Sequence, residues 1–84
     1  MKIYWNGNSK NIIGDRVRQF RSERGLSQMR LAELLQLEGM ECSDLTVLRI
    51  EKGQRFVPDY EIKVLAKVLA VTYSDLLDGK TEQN

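Results

Sequence analysis

No histidine occurs among the 84 residues, and cysteine (Cys42) and proline (Pro58) occur once each. Without an imidazole, nucleophilic triads of the Ser/His/Asp or Cys/His kind are excluded. One thiol can neither close an intramolecular disulfide nor build a Cys/His zinc site. Long apolar runs are missing as well. No stretch approaches the ~18 apolar residues of a membrane span, and the N-terminus lacks the basic-then-apolar layout of a signal peptide. Carboxylates are plentiful, but none accompanies a nucleophile, a metal cluster or a phosphate-binding glycine loop. The expectation is a protein that is not an enzyme, needs no cofactor or metal, makes no membrane contact and resides in the reducing cytoplasm.

What is present is a helical, soluble composition: 42% hydrophobic and 30% charged residues, enough for one small domain. Net charge is only +1, but ten Lys/Arg face seven Asp/Glu over residues 1–55, and three face five over 56–84. That basic bias permits a polyanionic partner without requiring one. A chain this short buries only roughly 60% of its unfolded surface, so help from a second copy is expected.

Residues 1–11 read as an arm, with a turn-rich stretch from Asn6 to Ser9 and three apolar residues, Ile3, Tyr4 and Trp5, in a row. Ile13, Val17 and Phe20 then recur at helical spacing, Asn11 suits a cap, and Gly25 supplies a left-handed end to helix one. Ser27 caps a second helix over 28–35, with Leu31, Ala32 and Leu35 inward and Leu26 as a staple. Residues 36–42 (QLEGMEC) lose the period and read as a loop, anchored by Leu37 and Met40, with Cys42 a small core residue. Ser43 caps helix three over 44–52, Gly53 ends it, and Val47 and Ile50 face inward. Pro58 precedes helix four, capped by Asp59 and carrying Tyr60, Val64, Leu65, Val68 and Leu69 as its apolar face. Thr72 and Asp75 form a capping box for helix five, which carries Leu76 and Leu77 and ends by Gly79; residues 80–84 are a polar tail. No strand pattern and no internal repeat appear.

Two short capped helices in tandem carry the most specific residues. RVRQFRSERGLSQMRLAELL, then SDLTVLRIEKGQR, then KVLAVTYSDLL resembles the helix-turn-helix domain of phage repressor and Cro (XRE-type) regulators, over most of the chain. The resemblance implies an all-α, five-helix, lambda-repressor-like bundle over residues 12–79, between the arm at 1–11 and the tail at 80–84. Its turn between helices two and three is about five residues longer than the family's usual turn. It also implies a transcriptional regulator, a repressor in the simplest case, that binds double-stranded DNA as a homodimer on an inverted-repeat operator. Asp44, Leu45 and Arg49 fall at positions that reach base edges. Gln28, Ser43, Thr46, Lys52, Gln54 and Arg55 fall at positions that touch the phosphate backbone. Arg21 and Glu51 match a partly buried ion pair between helices one and three.

Departures from the pattern accompany the match. Asp44 sets a carboxylate at the mouth of the groove, where the favoured reading is a helix-start residue rather than a base contact. Leu45 and Leu48 are apolar on the outer side of helix three; Leu48 is expected to pack under the loop, and Leu45 is left open. Arg30 points outward, towards a phosphate or water. Ala70 stands where a glycine is common, at a cost of about 1 kcal/mol if it is left-handed. These features sustain an alternative, a protein-interaction module of antitoxin or antirepressor type with the same fold and little DNA binding. Candidate surfaces for a protein partner are the arm and the C-terminal helices.

Overall fold

The computed structural model describes residues 9–78. The arm residues Tyr4 and Trp5, the helix end at Gly79 and the tail at 80–84 lie outside the described residues. Five helices follow in order: α1 (Gly14–Glu23), α2 (Gln28–Leu37), α3 (Asp44–Glu51), α4 (Asp59–Leu69) and α5 (Tyr73–Leu77). Helix α2 lies against α3 and α4, while α1 crosses α3 and touches α4 and α5. Among the described residues no helix is long and apolar enough to cross a membrane.

The core takes its side chains from every helix. Val17, Leu31, Leu35, Ile50, Leu65, Leu69 and Leu76 are fully enclosed, as is Ile13 just before α1. Each such side chain contributes roughly 1.5–3 kcal/mol of apolar burial. Helix α3 gives Val47, Ile50 and Glu51 to the interior, a narrow stripe that leaves its other faces outward.

Helix ends are set by one recurring device. After α1, α2 and α3 a left-handed glycine (Gly25, Gly39, Gly53) lets its own N–H and the following one bond back to the last turn. After α2, for example, the Gly39 N–H donates to Gln36 O and the Met40 N–H to Leu35 O. After α4 the same bonds form from Ala70, at φ 59° and ψ 47°, and Val71. An alanine therefore occupies the strained position.

Several sequence expectations are corrected. Helix α2 runs to Leu37, so the connection to α3 begins at Glu38 and part of the extra length lies in the helix. Gly39, not the fading apolar period, is what ends α2. Met40 and Cys42 anchor the connection in the core, but Leu37 is 77% exposed. The Gln36 side chain donates to the Cys42 carbonyl and braces the loop. Asp59 lies inside α4 and makes no cap, because Pro58 holds the N-cap position. Tyr60 is 67% exposed while Glu61 is buried. The i, i+4, i+8 register through Leu65 and Leu69 turns position 61 inward and rotates position 60 away.

Candidate nucleic-acid interface

The leading end of α3 stands at the surface. Ser43, Asp44, Leu45 and Arg49 are exposed, Thr46 and Leu48 half-buried, and Val47 and Ile50 enclosed. Ser43 and Thr46 close a capping box: the Thr46 N–H donates to Ser43 Oγ at 3.2 Å and the Ser43 N–H to Thr46 Oγ1 at 3.1 Å. Their hydroxyl oxygens lie 3.1 Å apart, so one O–H donates to the other and the second is left for an outside acceptor such as a phosphate oxygen. Asp44 Oδ1 accepts from the Leu45 N–H at 2.9 Å, holding the carboxylate at the positive end of the helix. Among the described residues Arg49 and Lys52 form no ion pair, and both are exposed.

Behind this surface α3 is fastened by charge. Arg21 of α1 grips Glu51 through two bonds, Nε to Oε2 at 2.5 Å and Nη2 to Oε1 at 3.1 Å, with side chains 14% and 3% exposed. Arg21 also donates to Leu26 O at 2.8 Å, tying the turn before α2 into the same cluster. Gln28 Nε2 donates to Glu51 Oε1 at 3.1 Å. Arg21, Gln28 and Glu51 thus form one cluster joining α1, α2 and α3. The Gln28 amide is half-buried, with one donor spent on Glu51.

The turn after α3 carries Lys52, Gln54 and Arg55. Lys52 and Gln54 are exposed. Arg55 is placed otherwise: its guanidinium pairs with both oxygens of buried Glu61, at 2.6 and 3.1 Å. The hydrogen bonding that Arg55 donates to Glu61 raises the Arg55 pKa above its ordinary value, against the opposing effect of burial. The pair joins the turn after α3 to α4, with the Arg55 side chain 31% exposed. Arg30 pairs with Glu33 at 3.1 Å on the exposed face of α2.

Sequence reasoning missed three features here. The Arg55–Glu61 pair joins the turn to α4; its only signal was a glutamate in an otherwise apolar register. Gly14 has no side chain because a Cβ there would lie 2.5 Å from Ile50 O and 2.8 Å from Glu51 O, so α1 meets the backbone end of α3 directly. Asn11, assigned only a cap, also reaches α3: its Oδ1 accepts from the N–H groups of Ile13 and Gly14, and its Nδ2 donates to Ile50 O and Arg55 O. Among the described residues no cluster of Cys, Asp and Glu is able to hold a metal ion.

Comparison with known proteins agrees with this geometry. A family model described as a helix-turn-helix domain matches residues 12–79. No curated protein matches the chain. Among solved structures, the restriction-modification controller protein C.AhdI from Aeromonas hydrophila is 34% identical, covering 77% of this chain and 87% of that one, with a TM-score of 0.67. The P22 c2 repressor, solved with a synthetic operator, superposes at a TM-score of 0.70 over 83% of this chain and 98% of that one; at 20% identity it speaks for the fold alone. With its tandem α2 and α3, its five-helix bundle and the match over residues 12–79, the chain belongs to the helix-turn-helix domain family.

Proposed function

We propose that this protein is a cytoplasmic, sequence-specific DNA-binding regulator that represses transcription by occupying an operator. The observation that carries the reading is the exposed leading end of α3, held on a rigid base by Val47, Ile50 and Glu51. A major groove about 12 Å wide admits one such helix. Arg49 offers a bidentate fork to guanine, worth roughly 1–3 kcal/mol of discrimination, and Leu45 meets a thymine methyl. Asp44 steadies the helix start, with a cytosine amino group as the base it would accept from. Gln28, Ser43, Thr46, Lys52 and Gln54 flank this end as phosphate contacts. Arg55 acts mainly through the position of its turn, because Glu61 holds its guanidinium.

Two copies, paired through α5 and the end of α4, would place their third helices about 34 Å apart in successive grooves of an inverted repeat. Tyr73 (50% exposed) and Leu77 (38%) offer apolar surface for that pairing. The similarity to a protein described as a controller of restriction-modification supports a regulatory class.

A second reading, a protein-interaction module, draws on Leu45, which is 47% exposed, and on the acidic Asp44 beside it. Selection of bound sequences from random duplexes at two salt concentrations separates the two. The DNA reading expects a palindromic site and affinity that falls steeply with salt. No enriched sequence, or salt-insensitive retention, overturns it.

A further inference from the structure

We propose that Asn11 is a positioning residue for the turn that carries Lys52 and Gln54. The proposal rests on the DNA-binding reading and names a part of that site outside the helix-turn-helix unit. One primary amide fills all its hydrogen-bonding positions here: two acceptor sites on Oδ1 and two donors on Nδ2. Oδ1 takes the N–H groups of Ile13 at 3.1 Å and Gly14 at 2.8 Å. Nδ2 gives one hydrogen to Ile50 O at 3.1 Å and one to Arg55 O at 2.9 Å.

Those two carbonyls bracket the turn, one on the last turn of α3 and one just past Gln54. A single side chain therefore clamps both ends of the segment and ties it to the start of α1. The neighbouring backbone acts in the same sense, since the Lys10 N–H donates to Gly53 O at 2.8 Å in the middle of the turn. Side-chain-free Gly14 lets α1 approach closely enough for the clamp to close. A capping role alone does not demand asparagine, because serine caps as well. Only the carboxamide supplies two donors to carbonyls 39 and 44 residues away.

The test combines Asn11→Ser, which keeps a neutral capping acceptor and loses both long-range donors, with Lys52→Ala. Full-length protein binds a short random-sequence duplex, followed by fluorescence anisotropy across a salt series; thermal melts show that each variant is folded. Non-specific binding reads phosphate contacts alone. In the unsubstituted background Lys52→Ala is expected to reduce the slope of log K against log salt by about 0.9, one phosphate contact. In the Asn11→Ser background the same change removes less than about a third of that, because the lysine is already misplaced. Equal losses in both backgrounds overturn the assignment while leaving DNA binding intact. Absence of any duplex binding by the unsubstituted protein overturns the functional reading and this assignment with it. Should Asn11→Ser fail to fold, Asn11→Thr, which also keeps a neutral capping oxygen and lacks both long-range donors, enters the same cycle.

Discussion

Truncating Glu51 to alanine removes the group on which α1, α2 and α3 converge. Its carboxylate is 3% exposed and takes two bonds from Arg21 and one from Gln28. The truncation leaves the Arg21 guanidinium, 14% exposed, without a counter-ion and with only Leu26 O to bond. Stranding one member of a buried pair costs about 3–5 kcal/mol. A chain of 84 residues has a folding stability of about 4–12 kcal/mol. With a urea slope of about 1 kcal/mol/M, the midpoint drops by about 3–5 M or the variant does not fold in water. The double change Arg21→Met with Glu51→Leu replaces the pair by apolar volume and is expected within about 1.5 kcal/mol of the unsubstituted protein. Half-buried Gln28 then turns its amide to water. Urea unfolding followed by circular dichroism reads both. A Glu51→Ala loss below about 1 kcal/mol, or a double variant as unstable as the single, refutes the reasoning.

Ala70→Gly relieves a left-handed alanine worth about 1–2 kcal/mol, partly offset by glycine's unfolded-state freedom; a melting rise of about 3–5 °C is expected in a thermal scan. Gly14→Ala drives a methyl into the Ile50 and Glu51 carbonyls and should cost about 1–3 kcal/mol, measured by urea titration. Arg49→Ala should relax preference at one base pair, whereas Lys52→Ala should weaken binding to all sequences alike; competition binding with single-base operator variants distinguishes them. Burial pushes the Cys42 thiol above its ordinary 9.0, so above that pH the folded state holds a proton that the unfolded chain releases. Stability should therefore fall as pH rises past about 9, and less so in Cys42→Ala, when urea midpoints are compared across pH.

The helices were legible because their signals are local. Ser27, Ser43 and Thr72 cap as their chemistry directs, and each of Gly25 and Gly53 closes a helix at the expected place. The strained Ala70 was legible for the same reason: a neighbouring helix end dictates its φ. Tyr60 read as part of the apolar face of α4 and Leu37 as a loop anchor, but helix register turns position 61 rather than 60 inward, and α2 runs on through Leu37 to its stop at Gly39. The Arg55–Glu61 pair and the reach of Asn11 to Ile50 and Arg55 are tertiary facts, spanning 6 to 44 residues, with no periodic signature. For the interface, the sequence pointed to Asp44, Leu45 and Arg49, and their shared exposure follows from the narrow buried stripe of α3. Arg55 was assigned to the phosphate backbone by the resemblance; its pairing with Glu61 of α4 had no local signal.

The central claim is that the leading end of α3 enters a DNA groove. The most direct measurement is an NMR titration of isotope-labelled full-length protein with a duplex carrying the selected site. The account predicts the largest amide shifts at Ser43, Asp44, Leu45 and Arg49, with smaller ones at Gln28, Lys52 and Gln54. Shifts confined to α4 and α5, with the start of α3 unmoved at saturation, would contradict it.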